Sequence, residues 1–405
     1  MIIERKAGDF VRSAAVWLLA LAFLCSVLAA GPVQAARPVL DWLDFNERVR
    51  SFYTITADPS DTARITARSK GEVPSVERRV LLLIPFASQT AYSISVNAIL
   101  STFQERKVPA VFDIWFYDTD LAIASEAVDW AEANAVDLIM PVGSDATEYL
   151  HRTYSGGRIP VVTSASKDPV LRGQMPGYHS GSGTNIAYTS NTVPVRLFIS
   201  YLRELLPKLH TIAVLYDLSN RSAVETQVEP LHAIASEMEL TVLDVAVRDG
   251  LSARADLTDG MSAVTEALAG FEPEFGTTAW IITGSTSVYR EIELINRLGG
   301  RMPVIATLPD VVRGGDASAV VSIGVNQSTA VQLAAHYAAD VLTGVQAVGT
   351  LPVGVVTPPD IAISFRAAGR IGLRIPFRFM EAATFIYDYD GRQVRAFGQR
   401  VSPAD

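Results

Sequence analysis

From Val80 onward, apolar runs of strand length alternate with segments of helical period, and the alternation stops once and then restarts. Val80–Phe86, Val111–Tyr117, Asp137–Val142 and Ile159–Thr163 read as buried strands. Between them, Ser93–Arg106, Leu121–Asn134 and Ala146–Tyr154 carry apolar residues at helical spacing. In the first of these, Ile94, Ile99, Leu100 and Phe103 share one face. A strand that is apolar throughout must be covered on both faces, and parallel pairing needs a crossover such as a helix. The pattern therefore predicts βαβ units around a parallel sheet.

A Gly- and Ser-rich loop, Gly177–Asn185, interrupts the rhythm before a second run begins. That run has helix Val195–Leu206, strand Thr211–Tyr216, helix Ala223–Met238 and strand Thr241–Val247. Gly250–Gly260 is polar and reads as irregular; helix Met261–Leu268, strand Trp280–Thr283, helix Val288–Leu298 and strand Pro303–Thr307 follow. Pro230 lacks an amide donor, so a kink or early stop is expected in its helix, and Gly299-Gly300 suits a helix C-cap. A third section holds strand Ala319–Asn326, helix Ser328–Leu342, strand Asp360–Ser364 and helix Arg366–Ile371. It closes on a hairpin, Phe385–Phe397, turning on Asp390-Gly391. Single cores stop growing at about 250–300 residues, so a chain of 405 residues should build at least two.

The N-terminus has a different character. Arg5, Lys6 and Arg12 precede an apolar run from Ala14 to Ala30, followed by Gly31-Pro32-Val33-Gln34-Ala35. A basic region, an apolar stretch and small residues at the −3 and −1 positions make residues 1–35 a cleavable export signal, so the expected location is the periplasm. The single cysteine, Cys25, lies inside it, and Phe23-Leu24 lacks the small residue that lipidation needs just upstream. The remaining chain then has no disulfide and must stand on its core. Residues 36–79 read as an irregular arm: Val39–Val49 has the pattern of a short amphipathic helix, and Thr56–Ser75 is polar with Pro59, Gly71 and Pro74. A net charge of −9, without Lys/Arg clusters, argues against nucleic-acid partners.

Catalytic and cofactor signatures are missing. There is no G-x-S-x-G elbow, phosphate loop or H-E-x-x-H. Gly181-Ser182-Gly183 has Ile186 where a dinucleotide fingerprint needs its third glycine. The five histidines have no metal-ligand spacing, so neither cofactor nor metal is expected. What remains is polar loops just after the predicted strands, where open parallel sheets bind ligands. They are Ser88, Gln89 and Thr90; Gly143, Ser144 and Asp145; Ser164 to Asp168; Tyr216 to Asn220; Gly284, Ser285 and Thr286; and Leu308 to Asp310, with Ser164, Asp168, Tyr216, Asn220 and Asp310 singled out in the longer runs. Each alone could simply cap the next helix, but six such loops, three per half, point to a shared cleft. Aromatic walls could come from Phe86, Tyr92 or Tyr216.

Several of these segments resemble one transporter family. Gly143-Ser144-Asp145, Ile159-Pro160-Val161-Val162 and Lys167-Asp168-Pro169-Val170 are similar to its "G-T … I-P-I-V-F … D-P-V" run. Thr184-Asn185-Ile186-Ala187 resembles its "G-N-V-T-G" crossover, and Ala213–Asn220 its "V-L-Y-N-P-S-N" strand and loop. Ala367–Pro376 resembles its "A-x-x-L-G-L-x-I-P" close. The family is the tryptophan/tyrosine-type ABC transporter substrate-binding proteins, and the likeness runs from about Val80 to Ala383. Asp217-Leu218 departs from its Asn-Pro, the crossover lacks Pro-Gly-Gly, and Arg248–Gly260 is longer than its counterpart.

The resemblance implies the α/β type I periplasmic binding protein fold, two Rossmann-like lobes with parallel sheets and a three-crossing hinge. Lobe 1 would be 80–188 plus 324–344, lobe 2 would be 189–323 plus 345–397, and 398–405 a tail. It implies a monomeric, non-enzymatic protein that closes on a small molecule such as an amino acid and delivers it to an ABC permease. The carboxylate would meet Ser/Thr hydroxyls and helix N-termini, and the ammonium Asp145, Asp168 or Asp310. Asn326, at the second hinge crossing, completes the candidate set. A sensor presenting its ligand to a signalling receptor is the alternative within binding, and a cleft hydrolase the alternative outside it.

Overall fold

The computed structural model describes residues 38–71, 77–269 and 276–401. The expected export signal, residues 1–35 with Cys25, lies outside the described residues, as does the end of the tail beyond Val401. Among the described residues no helix is long and apolar enough to cross a membrane.

The first sheet has seven strands: β1 (Tyr53–Ala57), β2 (Arg64–Ser69), β3 (Arg78–Ile84), β4 (Ala110–Phe116), β5 (Leu138–Pro141), β6 (Val161–Val162) and β7 (Ile186–Ala187). Their order is β1-β2-β4-β3-β5-β6-β7, parallel from β4 to β7. Val80–Ile84 and all of β4 are buried, as strands covered on both faces must be. The helices Gln89–Glu105, Leu121–Ala133 and Ser144–Tyr154 provide the crossovers.

β1 and β2 differ from the irregular arm expected over residues 36–79. They form an antiparallel hairpin, and β2 extends the sheet antiparallel to β4. The hairpin holds because Ile65 and Ala67 alternate inward between Arg64, Thr66 and Arg68, a period too short to stand out among polar neighbours. The helix foreseen within Val39–Val49 is instead a 3-10 turn at Val39–Asp41 and a helix at Glu47–Phe52.

The chain leaves the first sheet through β8 (Thr189–Ser190). The second sheet opens with β9 (Thr211–Asp217), β10 (Thr241–Val247), β11 (Thr278–Ile282), β12 (Val304–Ala306) and β13 (Val321–Gly324). These five are parallel in the order β10-β9-β11-β12-β13, the same winding as β4-β3-β5-β6-β7. The helix Gln327–Leu342 then returns to pack on Gln89–Glu105, with Val331, Ala334 and Ala338 in the first core. β14 (Gly354–Val355) pairs parallel with β8, so two of the three crossings are hydrogen-bonded to each other. β15 (Asp360–Ser364), β16 (Phe385–Tyr387), β17 (Gln393–Ala396) and β18 (Gln399–Arg400) complete the nine-stranded sheet.

Three local details depart from the sequence reading. Val348, Leu351 and Val353 pack into the cores around the first sheet, so the last crossing lies later than residue 345. Gly250–Gly260 is not irregular throughout: one helix runs over Ala253–Ala269. A Cβ at Gly260 would stand 2.8 Å from Val245, so glycine here allows the helix to lie close on β10. Ahead of Pro230 the helix widens into a π-helical turn, Val224–Val228, before continuing over Glu229–Ala235.

Candidate functional site

In each five-stranded parallel set the winding direction reverses beside the first strand, between β3 and β5 and again between β9 and β11. Crevices open at such switch points, beyond the carboxyl ends of the strands. Both face one cleft of about 1130 Å³ between the lobes. From lobe 1 it is lined by Phe86, Ser88, Gly143, Ser144, Asp145 and Lys167, among others; from lobe 2 by Asp217, Asn220, Gly284, Thr286 and Ser287.

Lobe 1 presents the N-terminus of Ser144–Tyr154. Gly143 adopts φ 102°, and a Cβ there would stand 3.1 Å from the Tyr92 hydroxyl, so glycine lets that ring lie against the turn. Tyr92 stacks edge-on with Phe86 at 5.4 Å and with Trp42 at 6.4 Å. The Trp42 segment is fastened by Ser93 Oγ accepting from Asp44 N–H (2.9 Å). Ser144 Oγ accepts the backbone N–H of Lys167 (3.0 Å). Asp145 opens onto the cleft and has no hydrogen-bond or ion-pair partner among the described residues. Loss of surrounding water raises its carboxyl above the usual range; Arg172 opposes that rise and Glu148 adds to it.

Lobe 2 presents groups already bonded to one another. Asp217 accepts from Ser219 N–H (2.8 Å) and from the hydroxyls of Ser219 and Ser287. Asn220 caps the next helix by accepting from Ala223 N–H (3.2 Å), and its amide donates to Gly284 O (3.2 Å) and Ser285 Oγ (3.4 Å). Gln227 accepts from Gly284 N–H (2.8 Å) and donates to Thr307 Oγ1 (3.2 Å).

Of the residues expected from sequence, Ser88, Gly143, Ser144, Asp145, Asn220, Gly284 and Thr286 line the cleft. Gln89, Thr90, Ser164, Asp168, Tyr216, Ser285, Asp310 and Asn326 are not among its lining. Gln89 donates outward to Asp44 (2.6 Å), and Thr90 is exposed on the same turn. Ser164 is fully buried. Asp168 is spent on the N–H groups of Val170 and Leu171 and on the Tyr178 hydroxyl (2.6 Å). Tyr216 packs against the core of lobe 2, and Ser285 is buried beneath its loop against Thr283 (3.0 Å). Asp310 accepts from Asn326 Nδ2 (3.4 Å), its carboxyl raised chiefly by burial, while Asn326 caps the helix Gln327–Leu342. Of the expected aromatic walls Phe86 and Tyr92 line the cleft and Tyr216 does not, while Tyr289 of lobe 2 lines it as well.

Arg172, Asn191 and Gln327, which line the cleft, lie outside the loops read from sequence, while Lys167 and Asp217 lie inside the candidate loops Ser164–Asp168 and Tyr216–Asn220 without being singled out there. Lys167 had a visible signal. It is a long cation directly after Thr163-Ser164-Ala165-Ser166, a small-residue run that follows a buried strand.

The sequence matches the ABC transporter substrate binding protein family over residues 85–385. Solved structures share the architecture. A conserved domain protein from Vibrio cholerae aligns at TM-score 0.60 and 19% identity, covering 77% of this chain and all of that one. The ABC domain from Streptococcus pneumoniae in complex with L-Trp aligns at 0.59 and 18%, covering 76% and 100%. The ligand-free, open form of a Clostridium difficile substrate-binding protein with adhesive properties aligns at 0.58 and 19%, covering 76% and 98%. No curated protein matches the chain.

Proposed function

This chain belongs to the ABC transporter substrate-binding protein family and has the two-lobed type I periplasmic binding fold, and on that premise we propose that it captures a small solute outside the cytoplasm and delivers it to an ABC permease. The observation that carries this reading is the cleft itself. Two switch points of identical winding face one volume of about 1130 Å³, and both walls supply polar loops to it. A solute that contacts both walls favours the closed arrangement by its differential affinity for it, and closure is a motion about the three crossings.

An amino-acid-like solute fits the chemistry. The Asp145 carboxylate would take an ammonium, and the edge-packed rings of Phe86 and Tyr92 would cover an apolar side chain. The Streptococcus relative holding L-Trp supports the same reading. The test is a melting-temperature screen of amino acids and other small solutes, followed by small-angle scattering with the best of them. A saturating solute should reduce the radius of gyration. Tight binding with an unchanged radius would contradict capture by closure.

A further inference from the structure

We infer that the solute carries an anionic group, a carboxylate or a phosphate, and that Lys167 is the residue that selects it. The inference rests on the solute-binding reading above and adds the chemical class. Lys167 lines the cleft, yet only 7% of its surface is exposed. Its backbone N–H is held by Ser144 Oγ, but its Nζ has neither a hydrogen-bond nor an ion-pair partner among the described residues. An ammonium held mostly out of water at the cleft wall, with no counter-charge, is costly to keep charged. Burial accordingly pulls the amine down to about 8.

The surroundings are shaped to hold it there. A Cβ at Gly284 would stand 2.5 Å from Nζ, so the amine of lobe 1 lies against the Gly284 loop of lobe 2, in a position a side chain at residue 284 would displace. The loop that presents it passes through Ala165 at φ 54°, left-handed backbone that a non-glycine residue keeps only when its neighbours enforce it. Asn191 enforces it by donating its amide to Ala165 O (3.3 Å) and its N–H to Ser166 O (2.9 Å).

Most other charges around the cleft are answered within the protein. Glu148 takes Arg152 (2.5 Å) and Arg172 (3.2 Å); Glu225 takes Arg221 (3.0 Å) and lies 3.7 Å from Arg172 across the lobes. Glu291 holds Arg254 (2.8 Å), and Asp217 is occupied by Ser219 and Ser287. Arg290 is exposed at the edge. Arg172 is charge-balanced by Glu148 and Glu225, its Nε and Nη1 enclosed and without a hydrogen bond. Asp145, also unpaired, lies beyond ion-pair reach of Nζ and matches the opposite end of a zwitterion. An anion seated on Nζ touches both walls together, so its charge becomes a contact made only on closure.

The experiment compares the full-length wild type with Lys167→Met, which keeps the stem and removes the charge. Matched probes are L-leucine against L-leucinamide, succinate against succinamide, and ribose 5-phosphate against ribose. Melting curves and calorimetric titration are recorded for each. The expected result is binding confined to the member of each pair that carries the carboxylate or phosphate, weakened about tenfold to a hundredfold in the variant, the loss typical of one charged contact. The carboxylate and phosphate arms tell the two anions apart. Independently of any probe, the unliganded variant should melt higher than wild type, because an unpaired buried charge has gone. A variant that melts lower would make Lys167 a structural residue and overturn the inference. A probe without an anionic group bound equally by both proteins would also overturn it, while leaving solute binding intact.

Discussion

The two walls of the cleft share one winding but are furnished differently. In lobe 1, Lys167 and Asp145 face the cleft with no partner among the described residues. In lobe 2, Asp217, Asn220 and Gln227 are bonded to Ser219, Ser287, Gly284, Ser285 and Thr307 of the same lobe. An unpaired polar group is destabilising until a ligand completes it, whereas a satisfied network is rigid without one. The difference teaches a division of labour: lobe 1 recognises the solute, and lobe 2 closes over it as a pre-set surface.

That contrast breaks most readily at Lys167. Its folded-state value of about 8 lies below the ordinary 10.5, so between those pH values the unfolded chain binds more protons than the folded one. Stability of the unliganded protein should therefore rise with pH across that window. The penalty is fully present below about 8 and gone above 10.5, a span of about 3 kcal/mol at most. Denaturant melts in this range should show the rise in wild type and lose the contribution in Lys167→Met. A slope identical in both would mean the amine is not buried unpaired.

Asp145→Ala is the next largest test. It should weaken binding of an ammonium-bearing solute by about tenfold to a hundredfold. It should change the unliganded melting temperature little, because relief of a partly desolvated carboxylate is offset by the loss of an acidic group from the first turn of Ser144–Tyr154. Asn220→Ala should do the reverse. It loses a helix cap worth about 1 kcal/mol and frees the Gly284 loop, so the melting temperature falls, with affinity reduced less than in Asp145→Ala. Equal affinity losses in the two variants would erase the distinction between walls. Smallest of all is Glu225→Gln. It removes a partly exposed partner of Arg172 across the lobes and should shift affinity by no more than a few-fold, an effect shrinking with salt.

The same contrast governs what could be read from sequence. Buried strands were legible because apolar residues without alternation have few other uses, and β10 spans Thr241–Val247 as read. The cleft loops were legible because ligands gather at strand ends, which located Gly143-Ser144-Asp145 and Gly284. Which polar groups are spent was not legible. Asp168 and Asp145 look alike in sequence, yet Tyr178 and two amides occupy one and nothing occupies the other. Those partners are local, two, three and ten residues on, but whether the irregular loop turns them onto Asp168 depends on its backbone path. Lys167 lies inside the candidate loop Ser164–Asp168 but does not stand out there, because lysine is ordinarily exposed, and the Gly284 loop that its amine lies against is over a hundred residues away. The β1–β2 hairpin escaped notice because it borrows its stability from β4 and from Tyr53 donating to Leu100 O (3.0 Å).

Native mass spectrometry of the wild type and Lys167→Met, each purified from its own cells without refolding, puts the division of labour to its most direct test. The account predicts that the wild type carries one small solute bearing an acid group, and that the variant emerges with the mass of the polypeptide alone. A solute retained equally by both proteins, or a wild type that carries none, would contradict it.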